Sequence, residues 1–141
     1  MNRTQLSTKV ITLYPELFPG PLSASVTGRA LEKKIWTLET INLRHYGKGK
    51  HRQVDDKPIS GGPGMILKPD VLDQALLQAS STNSDTDKMI VCMSPRGTPL
   101  SQSIAKSMLQ YNEIIIVCGR FEGIDQRVVE KHQMTEISIG D

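Results

Sequence analysis

Two cysteines, Cys92 and Cys118, are all that the 141 residues contain, too few for a disulfide framework or a zinc site. Each lies inside an apolar run, as a free buried thiol does, so a reducing, cytoplasmic setting is the expected one. No apolar run approaches the ~18 residues of a membrane span, so no membrane partner is expected. The N-terminus, MNRTQLSTKVITLYPELF, has no long apolar core ending in a cleavage site. The three histidines, His45, His51 and His132, lack metal-ligand spacing, and no metal site is expected from them. Neither GxGxxG nor GxxxxGK(S/T) occurs, which argues against dinucleotide and P-loop sites. Excess charge is small as well: a net charge of +2 permits nucleic acid as a partner without arguing for it. What remains is 38% hydrophobic and 23% charged, a composition for one globular domain with a real core.

The apolar pattern alternates between strands and helices. Lys9–Leu13 reads as a strand, closed by Tyr14-Pro15. Leu22, Val26 and Ala30, followed by Leu31 and Ile35, predict a helix over Leu22–Trp36, with Gly28 as a weak point inside it. Leu38–Leu43 alternates as a second strand. Arg44–Gly64, RHYGKGKHRQVDDKPISGGPG, has almost no apolar residue and is long for a structureless connection; such loops are functional lids or simply mobile. A helix carrying Leu72, Ala75, Leu76 and Ala79 follows Pro69, and Ser80–Lys88 reads as a solvated linker. Met89–Met93 is a fully apolar strand, suited to burial on both faces. Ser101 predicts an N-cap for a helix with Ile104 and Met108 on one face. Ile114–Cys118 is a fourth strand, Ile124–Lys131 a short helix, and Glu136–Ile139 the start of a fifth strand. The class is α/β with a largely parallel sheet.

Three successive strand ends carry loop signals: Met93–Gly97, Gly119–Gly123, and Ile139-Gly140-Asp141. Ligands of open parallel sheets sit beyond the carboxyl ends of the strands, and glycines there admit a ligand close to the backbone. Any one of these loops also reads as an ordinary strand-to-helix turn; together they favour a site. Apolar strand ends with glycine turns suit a partly apolar nucleoside, an adenosyl group before a triphosphate. Arg120 and Glu122 alternate on the middle loop, where both can point into a cleft; the arginine suits a phosphate or a purine carbonyl. Asp125 and Arg127 are expected to face solvent. Ser60–Met65 offers a glycine-rich backbone surface for something flat. Lys48, Lys50, His51 and Arg52 form a basic cluster, ordinarily a solvated face but beside a cleft also an attraction for RNA.

VDDKPISGGPGM, MSPRGTPL, VCGRFEGIDQRV and EISIGD, in that order and spacing, closely resemble the bacterial tRNA (guanine-N1)-methyltransferases, knotted S-adenosylmethionine-dependent enzymes of the SPOUT class. The resemblance runs from Tyr14-Pro15-Glu16-Leu17-Phe18 to the last residue. It implies a SPOUT-type α/β fold over residues 1–141 with a deep C-terminal trefoil knot, although knotted chains are rare. It also implies a homodimer with shared active sites, and methylation of N1 of the guanine immediately 3′ of the tRNA anticodon, which preserves the reading frame. Pro95, Gly97, Gly119, Phe121, Glu122, Gly123, Ile139, Gly140 and Asp141 would line the adenosylmethionine pocket. Gly62, Gly64 and Arg120 would lie on the side where guanine enters; His51 and Arg52, from the basic cluster, are expected to contact the tRNA. Arg120 would stabilise charge developing on the guanine, and Glu122 would organise the site or a magnesium ion.

Three departures from the family pattern stand out. Phe121 replaces the usual tyrosine, and Ser60 a usual glycine. The chain also stops at Asp141, inside the third cofactor loop, where the family continues into a helical C-terminal domain that holds the expected general base. The chain is therefore expected to be inactive alone. Two functions compete: the cofactor-binding domain of a tRNA methyltransferase, and a non-catalytic RNA-binding or dimerisation module of the same fold. A nucleotide-phosphate hydrolase is disfavoured by the missing P-loop lysine.

Overall fold

The computed structural model describes residues 5–56, 66–81, 87–119 and 123–140. Its centre is β6, Glu113–Cys118, because a run of β-branched residues suits a strand buried on both faces. Alternate side chains serve opposite faces. Ile115 and Val117 join one cluster of buried residues, and Ile114 another. Burying each such side chain stabilises by roughly 1.5–3 kcal/mol.

Around it lie β1 (Leu6–Thr12), β2 (Trp36–Asn42), β5 (Lys88–Pro99) and β7 (Thr135–Ser138), in the order β2-β1-β6-β5-β7. Every pairing in this sheet is parallel, with Val10 opposite Ile116 and Val91 opposite Ile116 on the other edge of β6. A two-residue antiparallel ribbon joins β3 (Asp55–Asp56) to β4 (Ile66–Leu67). Among the described residues lie four α-helices: α1 (Ser25–Glu32), α2 (Pro69–Ser81), α3 (Gln102–Met108) and α4 (Gln126–Lys131).

The two sheet faces are unequally covered. On one face, α2 and α4 supply Val71, Leu72, Ala75, Leu76, Val128 and Val129 to a deep core with Ile11, Cys92 and Ile115. On the other, Val91, Ile114 and Ile137 are the buried cluster among the described residues, while Leu6, Met89, Met93, Ile104, Met108 and Ile116 are half-buried. The deep face also holds an ion pair, Lys9 Nζ to Glu113 Oε1 at 2.9 Å, with both side chains almost wholly buried. Lys9 Nζ donates as well to the Ala79 carbonyl near the end of α2, at 2.7 Å. Glu113 Oε1 is thus paired by charge, without a well-aligned hydrogen bond.

Several expectations need correction. The helix predicted over Leu22–Trp36 is only Ser25–Glu32, because Gly20–Ser23 turns as a 3₁₀ segment and Trp36 already starts β2. Leu22, Val26 and Ile35 are exposed, and Gly28 is instead the buried residue of α1. The polar stretch from Arg44 is not structureless. Leu43–Tyr46 forms a 3₁₀ turn, Lys48 bridges Gln53 across a hairpin, and Val54 anchors β3 in the core. Ser80 and Ser81 belong to α2 and Lys88 to β5, so the linker is shorter than its composition suggests. The N-cap at Ser101 is present: its hydroxyl accepts from the Ile104 amide at 3.2 Å.

Candidate cofactor site at the strand ends

The loop predicted over Met93–Gly97 is a bulge inside β5. Met93 and Thr98 both pair with Ile137, so the residues between them are pushed out of register. Gly97 makes this crossing feasible. A Cβ there would lie 2.5 Å from the Glu136 carbonyl carbon and from the Ile137 amide nitrogen, closer than a side chain tolerates. Gly97 is thus a packing residue against β7.

The bulge and the end of β7 enclose a crevice of about 210 Å³, lined by Met93, Ser94, Pro95, Ile137, Ser138, Ile139 and Gly140. Pro95, Ile139 and Gly140 therefore meet at one cavity, and Gly97 stands behind its wall. The Ser138 hydroxyl accepts from the Gly140 amide at 3.2 Å and fixes the turn after β7. Gly140 has φ +141, and none of the described residues comes within 4 Å of a built Cβ. Ile139 is 80% exposed, an apolar side chain at a cavity mouth. Ser94, Ile137 and Ser138 were not singled out by sequence reasoning; their position next to Pro95 and Gly140 was the available signal.

The second loop is held from the other side. Gly123 has φ +139, and its carbonyl accepts from the Leu67 amide at 3.3 Å; Leu67 also bridges Ile124. The ribbon that ends the glycine-rich segment is thereby tied to the loop after β6. Gly119 is exposed, with the Ile124 side chain its neighbour among the described residues. Arg120, Phe121, Glu122 and Asp141, with Gly62 and Gly64, lie outside the described residues. His51 and Arg52 are exposed on the Lys48–Gln53 hairpin and do not line the crevice. Arg52 Nη1 donates to the His45 carbonyl at 3.3 Å.

Downstream, α4 is set firmly. Asp125 caps it, accepting from the Arg127 amide at 2.8 Å and from the guanidinium. The Arg127 guanidinium holds the Asp125 carboxyl below its usual range. The Asp125 side chain is therefore shielded rather than solvent-facing, while Arg127 is exposed as expected. The far end of α4 is pinned to α2. Lys131 Nζ lies 2.9 Å from Asp73 Oδ1, and His132 Nε2 lies 2.7 Å from the same oxygen. Hydrogen bonds from Lys131 and then His132 hold the Asp73 carboxyl below its ordinary value. Behind the crevice, burial pushes the Cys92 thiol up to about 11, and Glu136 and Cys118 add to it. Burial raises the Cys118 thiol too. Such thiols are poor nucleophiles at neutral pH. Among the described residues no helix is long and apolar enough to cross a membrane.

This geometry can be set beside known proteins. A family model described as tRNA (Guanine-1)-methyltransferase TrmD matches residues 6–141. Three curated proteins, each named tRNA (guanine-N(1)-)-methyltransferase, are similar to the chain. One from Jannaschia sp. (strain CCS1) is 55% identical over 135 residues, covering 94% of this chain and 55% of that protein. One from Ehrlichia canis (strain Jake) is 49% identical over 136 residues, covering 96% and 57%. One from Cereibacter sphaeroides (strain KD131 / KCTC 12085) is 47% identical over 135 residues, covering 94% and 54%. The chain spans about half the length of the curated relatives it matches. A match that begins in β1, runs through the bulge and the β6 turn, and ends past Gly140 takes in every element of the strand-end site: the chain belongs to the tRNA (guanine-1)-methyltransferase TrmD family.

Proposed function

We propose that this chain is the S-adenosylmethionine-binding domain of an enzyme that methylates N1 of the guanine immediately 3′ of a tRNA anticodon. The observation that carries the reading is the crevice between the β5 bulge and the end of β7. Its apolar walls and the Gly140 backbone fit an adenosyl group, which needs flat contact and backbone hydrogen bonds and no counter-charge. The cofactor, when bound, supplies an already activated methyl group. The chain's part is to orient it and to help guanine N1 lose its proton. Arg120, next to the exposed Gly119, is the candidate donor to the guanine O6, and Glu122 the candidate organiser of the loop.

A homodimer is part of the same reading. The α3 face buries three apolar residues and leaves six half-buried, beside exposed Leu100, Leu109 and Ile139. A second copy seated there would complete a core that one chain leaves thin. A trefoil knot is consistent with β7 returning to pair with β5 on the side opposite β6. The setting is the cytoplasm, where tRNA and reduced thiols coexist.

Calorimetric titration with S-adenosylhomocysteine, with ATP as control, tests the cofactor reading. Saturable binding of the homocysteine compound alone is expected. Preference for ATP, or no binding by the folded chain, overturns it. Methyl transfer by the complete enzyme carrying Arg120→Ala or Glu122→Gln tests the two roles; an unchanged rate removes the role concerned.

A further inference from the structure

A second cavity lies away from the crevice. It measures about 410 Å³, between α2 and the edge strand β2, and its lining includes Lys9, Glu39, Asn42, His45, Tyr46 and Gln78. That is within the ~300–1,000 Å³ usual for small-ligand clefts. We infer that it receives one unstacked nucleobase of the RNA whose phosphates are held by the adjacent Lys48–Gln53 hairpin. The inference rests on the tRNA reading above and names a contact outside the cofactor site.

The lining selects a base over a phosphate. The Lys9 ammonium at its floor is already engaged by Glu113 and by the Ala79 carbonyl, so it offers little net positive charge to an anion. His45 and Tyr46 place two flat rings at one rim, and a base can stack on either whatever its identity. Asn42 Oδ1 accepts from the Arg44 amide at 3.0 Å, which leaves the carboxamide NH₂ to donate to a ring acceptor. Glu39, exposed on β2, accepts from an exocyclic amine.

Cationic groups stand next door. Lys50 and Arg52 are exposed on the hairpin, which continues directly from His45 and Tyr46 through Gly47. Arg52 also donates to the His45 carbonyl, so the phosphate-binding tip and the ring-bearing rim are one unit. Lys48 is partly neutralised by Asp70 at 3.6 Å. Stacking therefore belongs to the cavity and salt-dependent attraction to the hairpin, and the two separate experimentally.

The probe is an unmodified tRNA transcript with guanine immediately 3′ of the anticodon, titrated by fluorescence anisotropy at several salt concentrations. His45→Ala removes an exposed ring, and Tyr46→Leu keeps apolar packing while removing the other. Each is expected to weaken binding roughly 10-fold with the salt slope unchanged. Lys50→Ala is expected to reduce that slope by about one instead. Wild-type binding that both ring variants retain at full strength overturns the nucleobase site and leaves the tRNA reading standing. A folded wild-type chain that binds no tRNA overturns both.

Discussion

Two cavities of this molecule, the strand-end crevice and the cleft beside β2, are built from different materials. The crevice at the ends of β5 and β7 is walled by backbone, small side chains and apolar surface, with one hydroxyl fixing its turn. The cavity between α2 and β2 is walled by charged, amide and ring side chains over a buried ion pair. A backbone-walled site is fixed by how closely strands approach, so it fails when an atom is added. A side-chain-walled site is fixed by charge compensation, so it fails when a partner is removed.

The largest effect should come from removing a partner. Lys9→Met leaves the Glu113 carboxylate uncompensated with its side chain 1% exposed, at a cost of about 3–5 kcal/mol. Adding Glu113→Leu should recover much of that, since an apolar pair of similar size removes the stranded charge. Urea unfolding of the single and double variants measures both. A single variant as stable as the wild type would mean that the pair is not what holds this side of the sheet.

Adding an atom at the other cavity comes next. Gly97→Ala drives a methyl group into the Glu136–Ile137 peptide, where only backbone can yield, at about 2–3 kcal/mol. The displaced bulge should also lose affinity for S-adenosylhomocysteine. Gly140→Ala meets no atom of the described residues and should cost about 1 kcal/mol through its positive φ. Equal losses for the two glycines would show that the close approach of β5 to β7 is unimportant.

The same distinction explains what could be read before the structure. The β1, β5 and β6 cores, the α2 core face and the Ser101 cap were legible because burial and capping leave periodic or local signatures. Leu22 and Val26 misled because helical spacing reports a shared face and not whether that face is covered; here both are exposed. The Met93–Gly97 bulge was illegible as strand because its pairing depends on β7, some forty residues later. Gly140 was legible as a candidate from its place after a strand, and so was Pro95. Lys9 and Glu113 carried no signal at all: each lies in a strand, and only the register of β1 against β6 brings them together.

Removing a cap should have a smaller effect. Asp125→Ala strips the acceptor from the Arg127 amide at the start of α4, a loss of about 1 kcal/mol. The accompanying ion pair adds little because Arg127 is 71% exposed. Thermal unfolding gives the cost, and Asp125→Asn should retain most of the stability. Loss as large as that of Lys9→Met would mean that α4 anchors more than its own first turn.

The smallest effect concerns the neutral packing behind the crevice, and its sign follows from Cys92. Burial raises the folded thiol to about 11, above the ~8.5 of an unfolded cysteine. The folded state thus keeps a proton that the unfolded state gives up. Stability from this group is complete below the unfolded value and is lost as pH rises toward the folded one. Between pH 7 and pH 9 the expected loss is less than about 1 kcal/mol. Cys92→Ala removes the titrating group, so its stability should start lower, because a buried side chain is shortened, yet decline less over that interval. Urea midpoints at the two pH values decide it. Parallel declines in both proteins would assign the alkaline loss to other groups.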